Sequence, residues 1–171
     1  MRLYVITGGP CSGKTSLLEE LGKRRYKIIK ETAKEVIQEE ISKGVADPWH
    51  AKDFQEKITA LQVKAEAAIP AGNSIAFLDR GLPDGLAYCK FRNQKVPRNL
   101  IEALKKCDYE KIFFLQQLPK YEQAKCRSET EEEAKQIGEL VKQAYAQLDY
   151  DIIEVPPLGI KERADFVIKN L

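Results

Sequence analysis

Short apolar runs alternate with longer stretches in which apolar residues recur at intervals of three and four positions. Short apolar runs indicate buried strands, whereas the wider spacing is typical of helices with one buried face. Strands and helices that alternate in this way predict a parallel sheet with helices on both faces, the α/β class. The predicted strands are Leu3–Thr7, Tyr26–Lys30, Ser74–Asp79, Lys111–Leu115 and Asp151–Val155.

Five helices are predicted between and after these strands. The third is expected to be long and to begin with Asp47 as its N-cap and Pro48 at its first helical position. The residues from Gly81 to Asp84 are interpreted as a turn that follows the third strand. The approximate helix ranges are Lys14–Gly22, Thr32–Lys43, Pro48–Pro70, Glu131–Leu148 and Ile160–Leu171.

Length and composition favour one ordinary domain. The 171 residues are expected to form a single unit over 1–171. No apolar run approaches the roughly 20 residues that a membrane helix needs, so we expect a cytoplasmic protein with no membrane partner. A net charge of +2 without a concentrated basic face argues against a nucleic-acid partner. The four cysteines form no C-x-x-C pair, which favours reduced thiols over a zinc or redox site.

The most specific motif lies between the first predicted strand and the first predicted helix. The segment Gly8-Gly9-Pro10-Cys11-Ser12-Gly13-Lys14-Thr15 fits the phosphate-binding pattern G-x-x-x-x-G-K-[ST]. Glycines let the backbone turn sharply and approach phosphates, and the N–H groups of such a loop form an anion nest. We expect ATP and Mg²⁺ as cofactors, with Lys14 at the β- and γ-phosphates and Thr15 as a metal ligand. The predicted nucleotide-binding residues are Gly8, Gly9, Pro10, Cys11, Ser12, Gly13, Lys14, Thr15 and Ser16.

A second acidic site is predicted where the third strand ends at Asp79. Acids at the ends of parallel strands lie at the sheet edge where ligands bind. Asp79 would therefore hold Mg²⁺ opposite Thr15, directly or through water, and capping of the next turn is the alternative. Arg80 follows at once. Its guanidinium is a candidate for reaching a substrate phosphate or the catalytic acid, and a surface salt bridge is the alternative.

Two further catalytic candidates come from the second strand and from a polar connection. Glu31 ends the second strand, where it could take a proton from an acceptor hydroxyl or, alternatively, cap the next helix. The polar segment Gln116–Thr130 could close over the phosphates as a lid and offer Arg127 to the transferring group. An ordinary solvated loop is the alternative for that segment. Trp49 could contact a ring of a ligand or fill the core, and His50 lacks partners for a metal.

Over nearly its whole length the chain resembles the small P-loop ATPases classed with AAA-type domains, a family that includes the kinase domain of bacterial nicotinamide-riboside kinases. Its layout is also similar to that of thymidylate and deoxynucleoside kinases. The likeness implies catalytic roles for Glu31 and Arg80 and a strand order of 2-3-1-4-5. The residues that carry it are Gly8–Ser16, Glu31–Ala33, Phe54-Gln55, Gln62, Glu66, Leu78–Gly81, Arg127–Glu129, Glu131–Glu133, Tyr150–Pro156 and Glu162-Arg163.

The chain departs from these relatives in ways that bear on function. The lid region has no multiple-arginine pattern, and no arginine finger of a hexameric remodelling ring is recognisable. No N-K-x-D guanine signature is present, which favours ATP.

The leading hypothesis is a kinase that transfers the γ-phosphoryl group of ATP to the hydroxyl of a small nucleoside-like acceptor. The acceptor pocket is expected between the second and third helices and the segment Asp79–Tyr88. The alternative is a regulatory ATPase that signals to a protein partner. The oligomeric state, with a dimer among the options, is left open.

Overall fold

A five-stranded parallel sheet organises the chain, whose computed structural model describes residues 2–69, 75–119 and 129–171. The strand order is β2-β3-β1-β4-β5, as the resemblance implied. All four strand pairs are parallel, so the carboxyl ends of the strands meet at one edge. The strands are β1 (Arg2–Thr7), β2 (Lys27–Ile29), β3 (Ile75–Asp79), β4 (Lys111–Leu115) and β5 (Ile152–Val155).

Helices cover both faces of this sheet, so the predicted α/β class is confirmed. None of the helices in the described ranges is long and apolar enough to cross a membrane. The helices are α1 (Lys14–Lys23), α2 (Thr32–Ser42), α3 (Phe54–Ala67), α4 (Leu82–Phe91), α5 (Arg98–Leu104), α6 (Glu131–Ala146) and α7 (Ile160–Lys169).

The third helix begins later than the sequence predicts. Pro48–His50 form only a short 3₁₀ turn, and Ala51 then takes an extended conformation that interrupts any continuous helix. The Asp47 side chain makes no capping bond; its carboxylate contacts Nδ1 of His50 at 2.6 Å instead. The long helix therefore starts at Phe54, and the predicted role of Asp47 as its N-cap is wrong.

The predicted turn after the third strand is also wrong, because α4 begins there. Pro83 lies in the first helical turn, where its missing N–H is not needed. The Asp84 carboxylate accepts a hydrogen bond from the backbone N–H of Gly81 at 3.1 Å and so closes the start of the helix. Helix α5 was not predicted either. Its seven residues are too few for a convincing helical period.

Two apolar clusters hold the layers together. On one face α1 and α7 pack against the sheet through Leu17, Leu21 and Val167. On the other face α6 and α4 do so, with Val141 and Tyr145 among the fully buried residues. Because both faces are covered, the sheet edge at the carboxyl ends of the strands is left to bind ligands.

Candidate functional site

The phosphate loop leaves β1 and enters α1 in a conformation that depends on its glycines. Gly8 and Gly13 have φ angles of +139° and +86°, a region that residues with a side chain rarely adopt. A Cβ at Gly8 would lie 2.7 Å from the Leu115 carbonyl oxygen, and one at Gly9 would lie 2.5 Å from the Ala134 carbonyl oxygen. The loop is therefore packed so closely that only glycine fits at these two positions.

Lys14 points back over this loop from the first turn of α1. Its buried ammonium donates hydrogen bonds to the carbonyl oxygens of Gly8 at 3.1 Å and Gly9 at 2.7 Å. Thr15 and Ser16 follow it at the surface of the helix start. A buried cation beside an exposed hydroxyl is the arrangement that a nucleotide's phosphates and their metal ion require.

Asp79 ends β3 next to these groups, and one of its oxygens is unsatisfied. Within the described ranges its Oδ1 is buried without a hydrogen-bond partner. Burial raises the pKa of Asp79, nearby Glu31 raises it further, and Lys14 and Arg80 oppose the rise. A buried oxygen without a donor fits a Mg²⁺ ion or one of its bound waters, which the residues here would hold together with phosphates.

No ready-made cage of three His, Cys, Asp or Glu side chains occurs in the described part of the chain. Mg²⁺ in nucleotide sites commonly takes one or two side chains and completes its shell with phosphates and waters. The pair predicted for the metal, Thr15 and Asp79, is compatible with that mode of binding.

Arg80 is fixed between two buried carboxylates. Its Nε donates to Glu31 at 3.0 Å, and its Nη1 donates to Asp84 at 2.8 Å. Its backbone has φ of +74°, which is uncommon for a residue with a side chain and typical of functional sites. Nη2 is buried and has no hydrogen-bond partner among the residues described, so one donor of this cation is left for an anion.

Asp84 is a site residue that the sequence analysis missed. Besides Arg80 and Gly81, its oxygens accept hydrogen bonds from the Thr7 hydroxyl and the Tyr145 hydroxyl, both at 2.7 Å. It therefore joins the end of β1, the start of α4 and the last turn of α6. The spacing of Asp84 and Tyr88, with Arg80 four residues before them and Arg92 four residues after, was the signal that could have identified it.

Glu31 precedes α2 at the N-cap position, but its side chain makes no capping bond to that helix. The carboxylate pairs instead with Arg80 and, at 3.1 Å, with the Lys34 ammonium. Lys34 also donates to the Thr15 hydroxyl at 3.4 Å, so it connects the predicted base with a predicted metal ligand. Lys34 was not identified from the sequence.

A cavity of about 220 Å³ opens beside this network, where the acceptor pocket was expected. Helices α2, α3 and α4 form its walls. Three aromatic side chains, Trp49, Phe54 and Tyr88, line it, so the tryptophan lies at the candidate site. Arg92 lies over the rings of Phe54 and Tyr88 at 5.5 Å and 5.4 Å. The cavity thus combines flat apolar surface with charged groups at its edges.

The side of α3 that faces the cavity carries three polar residues that are buried. Gln55, Thr59 and Gln62 are all below 9% exposed, whereas Ile58 and Leu61 on the same helix are only partly buried. Gln62 accepts a hydrogen bond from Thr32 at 2.9 Å and donates to Glu66 at 2.7 Å. Burial raises the pKa of Glu66, and the bond from Gln62 partly offsets this.

Other residues named in the sequence analysis lie away from the site or outside the described ranges. Arg127 and most of the predicted lid, residues 120–128, lie outside the described ranges. His50 is exposed, with Asp47 as its contact. Arg163 on α7 was noted only as part of the resemblance, yet its Nη1 donates to the Ser12 carbonyl oxygen of the phosphate loop at 2.8 Å.

The geometry can be compared with known proteins. The sequence model of a family described as an AAA domain matches residues 3–163, nearly the whole chain. The chain belongs to this family. No curated protein matches the sequence.

Solved structures agree with the AAA domain assignment at the level of fold. NadR protein in complex with NR matches with a TM-score of 0.71 and 18% identity, over 98% of this chain and 49% of that one. Deoxyadenosine kinase from M. mycoides, bound to products, matches with a TM-score of 0.68 and 16% identity, over 98% of this chain and 97% of that one. Thymidylate kinase from Candida albicans matches with a TM-score of 0.64 and 17% identity, over 99% of this chain and 90% of that one.

These likenesses establish a P-loop fold of the kinase type for this AAA domain chain, which spans about half of the NadR chain that it matches.

Proposed function

We propose that this AAA domain chain is an ATP-dependent phosphotransferase that phosphorylates a hydroxyl group of a nucleoside-like small molecule. One observation carries the proposal: the acceptor-sized cavity opens on the buried Glu31–Arg80 pair, beside the phosphate loop. An enzyme that only hydrolysed ATP would not need an apolar cavity at this point. The solved structures with this fold include two proteins named as kinases of nucleosides or nucleotides, which supports the same class.

Mg·ATP would be held by the phosphate loop, with Lys14 on the phosphates and with Thr15 and Asp79 toward the metal. The unsatisfied oxygen of Asp79 and the close-packed glycines are the observations that fit this cofactor. When bound, Mg·ATP supplies the phosphoryl group and neutralises much of its charge.

The residues around the acceptor have complementary tasks. Glu31, whose position is fixed by Arg80, takes the proton of the acceptor hydroxyl as it attacks. Arg80 offers its remaining donor, Nη2, to the anionic group that is transferred. Lys14 exchanges its contacts with loop carbonyls for contacts with phosphate oxygens. Catalysis in such a site is positioning and electrostatic stabilisation, with no covalent intermediate on the protein.

Several expectations from the sequence stay proposals. Arg127 is proposed to reach the transferring phosphoryl group from the segment between β4 and α6. We also propose that the chain acts as one domain, in the cytoplasm, on small molecules and without a nucleic-acid or membrane partner.

The test measures ATP consumption with Mg²⁺ against a panel of nucleosides that includes nicotinamide riboside. We expect one acceptor to raise turnover at least about a hundredfold above hydrolysis. Glu31→Gln should lower that turnover by about a hundredfold or more, because the proton acceptor is lost, while ATP affinity stays the same.

Glu35→Gln is the matched control, since Glu35 lies one turn further along, in the first turn of α2, but is exposed. It should behave like wild type. If ATP binds tightly and no acceptor raises turnover, the chain is instead a regulatory ATPase that acts on a protein partner.

A further inference from the structure

A buried arginine behind the phosphate loop has no anionic partner among the residues that the structure describes. Arg163 on α7 is only 2% exposed, so its guanidinium is removed from water. Its Nε and Nη2 are both buried without a hydrogen-bond partner in the described part of the chain. Buried arginines are normally paired with carboxylates, because an unpaired buried charge is costly.

Within the described ranges the charge is uncompensated as well as poorly hydrogen-bonded. Burial lowers the pKa of Arg163, and no acidic group described there opposes that effect. The neighbouring acid, Glu162, accepts the backbone N–H of Gly159 at 2.9 Å and so faces the helix start. Asp165, two residues on, pairs with Arg24. Neither acidic residue of this helix is therefore the counter-ion of Arg163.

The single hydrogen bond of Arg163 directs it to the loop that would hold phosphates. Nη1 donates to the Ser12 carbonyl oxygen at 2.8 Å. The same nitrogen would lie 3.0 Å from a Cβ built on Gly13, so the guanidinium touches the loop at two successive residues. A cation there contributes a positive potential to the anion nest on the other side of the backbone.

We propose that Arg163 is a cation reserved for the phosphates of a bound nucleotide, which serve as its missing counter-ion. This inference rests on the proposed function only in requiring that the loop binds phosphates. Arg163 acts from behind the backbone as a positioning residue: it orients the Ser12 peptide and adds positive charge to the nest. The ligand-free protein carries an uncompensated charge, and phosphate binding compensates it.

Two consequences separate this role from a purely structural one. Removing the charge should weaken binding of any ligand that brings phosphates to the loop, with or without a nucleoside. The same change should not destabilise the ligand-free protein, because it removes a buried charge that has no partner there. A residue that only supported the fold would show the opposite pattern.

The experiment uses isothermal titration with inorganic tripolyphosphate and with ATP, together with thermal unfolding of the ligand-free protein. Arg163→Met should weaken both ligands by a similar factor of at least about tenfold, or ~1.4 kcal/mol. Its ligand-free Tm should equal or exceed that of wild type. Arg163→Lys keeps the charge, so its affinity for both ligands should fall by less than about threefold.

Arg24→Met is the matched control, because Arg24 is also an arginine in contact with α7 but is paired with Glu20 and Asp165. It should leave both affinities unchanged. Three results with Arg163→Met would overturn the proposal. They are an unchanged affinity for tripolyphosphate, a loss of affinity for ATP alone, and a ligand-free protein whose Tm is lower than that of wild type. If wild type binds neither ligand, the proposed function fails too; if wild type binds both and Arg163→Met equals it, only this inference fails.

Discussion

At the scale of single residues, the site depends on how Arg80 is held. Its positive φ of +74° costs on the order of 1–3 kcal/mol for a residue with a side chain. Ion pairs with Glu31 on one side and Asp84 on the other offset that cost and fix the plane of the guanidinium. A guanidinium fixed in this way can donate its remaining hydrogen bonds to a phosphoryl group without a change in side-chain conformation.

Asp84→Asn tests this arrangement. Each carboxylate oxygen of Asp84 accepts two hydrogen bonds, from Thr7 and Arg80 on one side and from Gly81 and Tyr145 on the other. An amide group must turn its NH₂ toward one pair of donors and leaves Arg80 without one of its two acids. We expect a loss of about 3 kcal/mol in the free energy of unfolding in urea. The turnover should fall as well, because the guanidinium is no longer fixed.

The control is Tyr145→Phe, which removes one of the four hydrogen bonds and leaves the ion pair intact. It should lower the free energy of unfolding by about 1 kcal/mol and change turnover little. Equal stability losses in the two variants would mean that the charge of Asp84 does not matter.

At the scale of elements, two glycines with the same backbone conformation serve different purposes. Gly13 precedes α1 and Gly44 follows α2, and both have φ of +86°. A Cβ on Gly13 would meet Nη1 of Arg163 at 3.0 Å, whereas one on Gly44 would meet nothing within 4 Å. The two positions therefore share the backbone strain but differ in what surrounds them.

We expect Gly13→Ala to weaken ATP binding by more than about tenfold in a titration, because the loop must move away from the phosphates to relieve the contact and the strain. Gly44→Ala should lose about 1 kcal/mol in the free energy of unfolding through strain alone and bind ATP as wild type does. A Gly44→Ala protein that lost ATP affinity would show that helix α2 couples to the loop over a long distance.

The same elements show what could be predicted from the sequence. The strands and the phosphate loop were predictable because apolar runs and a glycine pattern are local signals. Helix α4 was missed because Gly81 and Pro83 are typical of turns, although they are equally suited to a helix start. The site could be predicted only in part. Asp84 and the polar face of α3 acquire their roles from residues far away in the chain, which local patterns do not reveal.

At the scale of the whole molecule, strand order brings the two halves of the site together. β1 lies between β3 and β4, so the phosphate loop at the end of β1 is adjacent to Asp79 at the end of β3. Glu31 reaches the same edge because β2 pairs with β3. The loop that would hold a nucleotide lies beside α1 and α7, which come from opposite ends of the chain and pack together.

Nucleotide binding should therefore stabilise the entire fold. At about 100 times its Kd a ligand adds ~2.7 kcal/mol to the free energy of unfolding. For a domain of 171 residues, each kcal/mol raises Tm by roughly 2–4 °C, so Mg·ATP should raise Tm by about 5–11 °C in thermal unfolding.

Lys14→Met should abolish most of this shift, because the ammonium that faces the phosphates is lost. Removing Mg²⁺ with a chelator should reduce the shift in wild type, because Asp79 then repels the phosphates instead of sharing a cation with them. A shift of the same size in Lys14→Met would mean that the nucleotide binds elsewhere than at the loop.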